Sequence, residues 1–326
     1  MKKNILIIDE FEPSLMEILR EANISFEYAP YLDRAGLKEI ISNYSGLVVR
    51  SKTNIDKEII DLGDKLTFIA RGGSGMDNID SIYAKTKNIH CLNAPEGNRN
   101  AVAEHSIGFI IALITNLVKG NNEVNEGKWD REGNRGIELS SIKAGLIGYG
   151  NVGSLVAKKL NALGIKVLVH DKYKTGFGTE LIKEVSLLEI KEVCNLISLH
   201  IPLTQETNSL VDTQFIDEMK NPFYLINTSR GEICKTTDLL YGLNKNKIMG
   251  LGLDVLDSEK KIKLSDIETS NLAVLKSNEK VIITPHVAGW THESYQGISS
   301  VLANKIKELL TNSEYFASEV LINIKN

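Results

Sequence analysis

Residues 144–153 read Ala144-Gly145-Leu146-Ile147-Gly148-Tyr149-Gly150-Asn151-Val152-Gly153, a short apolar run closed by G-x-G-x-x-G, and a helix-like pattern follows over 154–163. In a strand–turn–helix unit of this kind Gly148 permits a tight turn and Gly150 lets the backbone approach a pyrophosphate. Gly153 allows the helix to pack closely on its strand, with the pyrophosphate at the helix N-terminus. The next apolar run ends in Val169-His170-Asp171, about twenty residues beyond the glycines, where an acid is expected to bind a ribose 2′-hydroxyl and repel a 2′-phosphate. Motif, flanking elements and acid together point to a dinucleotide-binding domain that prefers NAD.

Outward from this point, short apolar runs alternate with amphipathic stretches in both directions, the signature of parallel sheets covered by helices on both faces. Upstream, strands are expected at 4–9, 46–50, 67–70 and 88–92, with helices at 13–22 and 55–62, giving about four β-α units. A long helix is expected over 99–119, capped by Asn98, and then a polar excursion over 120–140 that serves as surface or subunit contact. Downstream, strands are expected at 144–147, 166–170, 193–200, 224–227, 248–253 and 281–284, and a last helix at 291–310. The Lys-rich segment 258–280 reads as a loop with at most one short helix.

The 326 residues are too many for one ordinary core and suit two domains. With 38 Lys and Arg against 42 Asp and Glu, the chain offers no field for nucleic acid or an anionic membrane, so neither is an expected partner. The apolar run 5–8 is cut by Asp9, which excludes a signal-peptide core, so the chain is expected to begin near Met1 and to be cytoplasmic. Cys91, Cys194 and Cys234 form no C-x-x-C pair and read as core residues, and no metal site is expected.

Three residues of the second half follow expected strand ends, where open α/β sheets bind ligands: Arg230, Glu259 and His286. Oxidising a hydroxy acid needs a cation for the carboxylate and a base for the hydroxyl proton. Arginine offers a planar fork matched to a carboxylate, and histidine titrates near neutrality, steadied by an adjacent acid. Singly each has a bland reading as surface charge or loop residue; the three together beyond a nucleotide fingerprint do not.

The order G-x-G-x-x-G, Asp171, His200-Ile201-Pro202-Leu203-Thr204, Asn227-Thr228-Ser229-Arg230-Gly231, Leu253-Asp254-Val255 and Pro285-His286-Val287-Ala288-Gly289 resembles the D-2-hydroxyacid dehydrogenases, over about residues 45–300. The resemblance implies that Arg230 binds and polarises substrate, that His286 is the acid/base and that Glu259 is its partner. It implies that Asn151, Val152, Asp171, Ile201, Thr228, Ser229, Asp254 and Gly289 line the NAD site, with Ser74 contributing from the other domain. It further implies a Rossmann-type NAD domain, 99–286, inserted in a flavodoxin-like substrate domain, 1–98 with 287–326, a cleft between the two doubly wound parallel sheets, and a homodimer exchanging the 120–140 excursion. One departure from the family pattern is Lys260-Lys261 after Glu259, where proline is usual; Asp257 is a nearby alternative acid.

Within the family, Val48-Val49-Arg50-Ser51-Lys52, Arg71-Gly72-Gly73-Ser74-Gly75-Met76-Asp77-Asn78-Ile79-Asp80 and Asn93-Ala94-Pro95-Glu96-Gly97-Asn98 are similar to the short phosphoglycerate dehydrogenases. By that resemblance Arg50 and Arg71 meet a substrate phosphate, Arg131 reaches in from a partner subunit, and the chain is a short form without a C-terminal regulatory domain. The glycines around Gly73 and Ser74 are suited to bind a carboxylate through backbone N–H groups. The activity expected is oxidation of 3-phosphoglycerate, first step of serine synthesis. The alternatives are a glyoxylate/hydroxypyruvate reductase or other D-2-hydroxyacid dehydrogenase, with 2-oxoglutarate reduction as an open side activity, and, in another class, an NAD-sensing scaffold.

Overall fold

A computed structural model describes residues 4–259, 261 and 263–311. The chain divides into two compact units, one of the residues up to Arg99 together with those from Trp290, the other of Asn100–Gly289.

In the first unit five strands, β1 (Ile5–Ile7), β2 (Phe26–Tyr28), β3 (Gly46–Val49), β4 (Phe68–Arg71) and β5 (His90–Asn93), form a parallel sheet in the order β2-β1-β3-β4-β5. Its central strands are apolar up to Arg71 at the end of β4, because both faces are covered. Side chains alternate between faces. Ile5, Ile7, Val48 and Phe68 pack against helices Ser14–Glu21 and His292–Thr311 through Leu15, Leu19, Leu302 and Ile306, while Leu6, Leu47, Val49 and Ile69 meet Leu37, Ile59 and Ile60 on the other face.

The second unit carries seven parallel strands, β6 (Lys143–Ile147), β7 (Lys166–His170), β8 (Ile182–Glu184), β9 (Leu196–Leu199), β10 (Phe223–Asn227), β11 (Ile248–Leu253) and β12 (Val281–Ile283), ordered β12-β11-β10-β9-β6-β7-β8. This is the doubly wound nucleotide-binding order with one strand added, and its direction reverses between β6 and β9. Both sheets are of the expected class.

The differences from the sequence reading have physical causes. Strands β2 and β8 were not foreseen: both lie at sheet edges, have three residues, and carry exposed or half-exposed positions in place of an apolar run. The long helix starts at Pro95, not at 99, because proline suits a first helical turn. Asn98 therefore lies inside the helix, where its Oδ1 accepts a 2.6 Å bond from Ser74 Oγ. The helix stops at Ile114, Asn116 adopts a left-handed φ of 54°, and Leu117–Asn125 continues at 61° to it. The segment read as a loop with at most one short helix holds a single helix of twelve residues, Asp266–Ser277, closed at its start by a capping box between Ser265 and Glu268. Among the described residues no single helix is long and apolar enough to cross a membrane.

Candidate active site

The fingerprint loop leaves the carboxyl end of β6 at the point where the strand order reverses. Gly148 has φ +100°, and a Cβ there would lie 2.3 Å from the His200 carbonyl oxygen; one on Gly153 would lie 2.1 Å from the Gly148 carbonyl oxygen. Both positions exclude any side chain. At Gly150, by contrast, an added Cβ meets no protein atom within 4 Å, so there is open space at this glycine. Gly150 caps helix Asn151–Ala162, whose first N–H groups, including those of Asn151 and Val152, have no intrahelical acceptor. That cradle fits a pyrophosphate, and Ile201 packs at the first glycine.

Asp171 ends the next strand. Its Oδ2 accepts the Tyr149 N–H at 2.7 Å and its Oδ1 accepts those of Tyr173 and Lys174 at 2.9 Å each. Burial alone would raise its carboxyl, but the three donors outweigh it and hold the group below the usual range, so it is an anion at neutral pH. His200 is held down to about 3 by burial and pairs Nε2 with Ser198 Oγ at 2.9 Å, so it remains neutral and structural.

Beyond β10, the buried Asn227 shapes the turn that bears Arg230. Its amide donates to the Arg230 carbonyl at 2.9 Å and its Oδ1 accepts the Ser229 N–H at 3.0 Å. Ser229 Oγ reaches back to the Leu199 carbonyl at 2.8 Å, and Thr228 meets Ser106 at 3.1 Å. Asn227 was quoted in the motif without a role, because its work is done through contacts the sequence does not display.

Beyond β11, the carboxylate of Asp254, 1% exposed, binds the loop after β12 at three points: Thr284 Oγ1 at 2.5 Å and the N–H groups of Val287 and Ala288 at 2.8 Å each. His105 Nε2 lies 3.1 Å from the same threonine hydroxyl. His286 itself holds a left-handed φ of 56°, an uncommon conformation for a non-glycine residue, and its N–H is shared between the carbonyls of Asp254 and Thr284.

The loop presents the imidazole to Glu259, with Nδ1 3.1 Å from Oε1. A carboxylate at Nδ1 keeps the proton there and leaves Nε2 as the atom that exchanges one. The Glu259 hydrogen bond raises the His286 pKa above its ordinary value, against opposing contributions from burial and the nearby Arg230 cation. Asp257 is not the partner: it accepts from the Thr236 hydroxyl at 2.6 Å and the Thr236 N–H at 3.1 Å, at the start of helix Thr236–Asn244. Glu259 is thus bonded to His286 and the Arg230 cation lies near enough to act on that imidazole, within the unit that also holds Thr228, Ser229 and Asp254; Gly289 ends the histidine loop.

In the first unit Arg50 and Arg71 stand at the carboxyl ends of β3 and β4. Gly73 has φ +155° with the Arg71 guanidinium folded against it, and the Ser74 carbonyl accepts from Asn93 at 2.6 Å. Arg131, in the second unit, lies exposed in the turn after Trp129.

Residues 107–288 match the family model described as D-isomer specific 2-hydroxyacid dehydrogenase, NAD binding domain. The chain is 33% identical over 304 residues to a hydroxypyruvate reductase of Thermotoga maritima, covering 93% of this chain and 96% of the relative. It is 31% identical over 327 residues to a D-3-phosphoglycerate dehydrogenase of Methanocaldococcus jannaschii, covering 99% of this chain and 60% of that one. A crystal structure of a D-lactate dehydrogenase from Aquifex aeolicus, complexed with NAD and lactic acid, superposes with a TM-score of 0.82 at 26% identity over 97% of this chain and 98% of the other. With glycine cradle, anionic acid and histidine–glutamate pair in place, the chain belongs to the D-isomer specific 2-hydroxyacid dehydrogenase family and is an NAD-dependent oxidoreductase.

Proposed function

We propose that the protein oxidises 3-phosphoglycerate to 3-phosphohydroxypyruvate, the step that commits this carbon skeleton to serine. The observation that carries the reading is the pair of strand-end arginines, Arg50 and Arg71, in a unit separate from the carboxylate-binding Arg230. A hydroxy acid with a second, phosphorylated end needs such a second cationic site; lactate does not.

Arg230 holds the substrate carboxylate in its guanidinium fork and draws charge from the reacting carbon. His286 Nε2 takes the hydroxyl proton while Glu259 at Nδ1 stabilises the imidazolium that forms. Bound NAD supplies the hydride acceptor. In the reverse direction His286 starts protonated and returns the proton to the carbonyl oxygen. In the cytoplasm the protein would act as a homodimer through the segment after Asn116, where Leu117, Val124 and Trp129 are 64%, 50% and 81% exposed and Arg131 follows; neither nucleic acid nor membrane is a partner.

A specific observation favours a second reading, a glyoxylate/hydroxypyruvate reductase: the hydroxypyruvate reductase is matched over nearly its whole length, whereas the chain spans just over half to 60% of several of the phosphoglycerate dehydrogenases. A panel of 3-phosphoglycerate, D-glycerate, D-lactate, hydroxypyruvate and 2-oxoglutarate, followed by NADH absorbance, decides between them. The highest kcat/KM among the hydroxy acids belongs to 3-phosphoglycerate on the first reading, and to D-glycerate on the second. Tight NADH binding without turnover of any of the five would leave only the scaffold.

A further inference from the structure

The five-stranded sheet has its own reversal of strand order, between β1 and β3, and open α/β sheets take ligands at that point, beyond the carboxyl ends of the strands. Asp9 follows β1 and Arg50 follows β3. The Asp9 carboxylate, 5% exposed, accepts the Arg50 N–H at 2.5 Å, and Lys52, Arg50 and Arg71 all act on it through space. Three cations thus converge on one buried carboxylate. The adjacent Glu10 carboxylate is turned to the Tyr31 hydroxyl, 3.2 Å away.

The Arg50 guanidinium does not hang free in this field. Its Cζ lies 4.7 Å from the centroid of the Trp290 ring and 4.9 Å from that of Tyr295, and the two rings are 5.5 Å apart at a tilt of 57°. The three distances form a nearly equilateral triangle, so the rings do not sandwich the cation; they make a two-walled corner beside it, and its Nη1 donates to the Glu10 carbonyl at 3.5 Å. Both walls belong to the start of helix His292–Thr311, which is fixed by reciprocal bonds, Thr291 N–H to Ser294 Oγ at 2.9 Å and Ser294 N–H to Thr291 Oγ1 at 3.0 Å.

We propose that Trp290 and Tyr295 are specificity-determining positioning residues: by ring contact they aim the Arg50 fork at the phosphate end of the substrate. The inference rests on the phosphoglycerate reading and adds residues to it. A guanidinium carries five N–H donors in a rigid fork, so ring contact at its carbon and one bond to the Glu10 carbonyl leave donors for bidentate recognition of a phosphate.

The test is the ratio of kcat/KM for 3-phosphoglycerate to kcat/KM for D-glycerate. Trp290→Leu and Tyr295→Leu should each lower that ratio roughly three- to tenfold, chiefly through KM for the phosphorylated substrate, and Trp290→Phe and Tyr295→Phe should restore most of it. The chain has two tryptophans, Trp129 and Trp290, so a Trp129→Phe protein reports on Trp290 alone. Its emission should change saturably with 3-phosphoglycerate in the presence of NADH, and the change should vanish when Arg50→Ala is added. Leucine variants that depress both substrates alike, or emission indifferent to saturating 3-phosphoglycerate, overturn the proposal. Arg50→Ala separates the two layers. If it leaves the ratio unaltered, the phosphate reading falls and this inference with it. If it lowers the ratio while the leucine variants do not, only the aromatic corner falls.

Discussion

The two sheets hold their strand-end side chains by different means. In the seven-stranded unit, the turn of Arg230 and the loop of His286 are pinned by buried polar groups, Asn227 and Asp254, each making several short hydrogen bonds to backbone. In the five-stranded unit the Arg50 backbone is likewise pinned, by Asp9 at its N–H and Asn78 at its carbonyl, but its guanidinium is placed by ring contact with Trp290 and Tyr295 and by a 3.5 Å bond to the Glu10 carbonyl. Hydrogen bonds from a buried carboxylate are directional and costly to break, so they define an atom's position closely. Ring contact is weaker and tolerates a shift. Proton transfer needs the first kind of control. On the proposed phosphoglycerate reading, recognition of the substrate's far end is served by the second, which is also the easier of the two to alter.

The largest expected loss lies on the pinned side. His286→Ala or His286→Gln should cut turnover by roughly a hundredfold to ten-thousandfold with NADH binding retained, measured by steady-state kinetics and NADH fluorescence. Near-normal turnover in a folded variant would move proton transfer elsewhere. Asn227→Ala comes next. Removing a buried amide that serves both the Arg230 carbonyl and the Ser229 N–H should cost about 1–3 kcal/mol of stability in denaturant unfolding and lower kcat for every substrate. An effect confined to stability would show that the turn does not need its pin.

Cofactor choice follows. The Asp171 anion should favour NAD over NADP by about an order of magnitude or more in kcat/KM. Equal efficiency would take Asp171 out of that role and leave it only its three backbone partners. The smallest effect is a displaced pH profile. Because Glu259 raises the His286 pKa, hydroxy acid oxidation, which needs neutral imidazole, fails as pH falls through that raised value; reduction, which needs imidazolium, fails as pH rises through it. Glu259→Gln should move both inflections toward lower pH. An unmoved profile would detach Glu259 from His286.

How much of this the sequence shows depends on how local each cause is. The interior strands were legible because strands buried on both faces are apolar throughout, and Lys166–His170 and Ile248–Leu253 lie where their runs do. The edge strands β2 and β8 were not, since an edge needs no such run. Gly148, Gly150 and Gly153 declare their roles through spacing, as do Arg230 and His286 through position after strands. The choice of Glu259 over Asp257 could not be read from two acids two residues apart; it depends on Thr236 occupying Asp257. The ring corner at Arg50 was equally hidden, because its walls come from the opposite end of the chain.

The claim on which the account turns is that Arg230 serves every 2-hydroxy acid while Arg50 serves only a phosphorylated one. It is tested by paired kinetics of Arg230→Ala and Arg50→Ala on 3-phosphoglycerate and D-lactate. The account predicts that Arg230→Ala depresses both substrates together, whereas Arg50→Ala weakens use of 3-phosphoglycerate by roughly 2–4 kcal/mol more than use of D-lactate. Equal losses on the two substrates in Arg50→Ala would contradict it and leave the broader hydroxyacid dehydrogenase in its place.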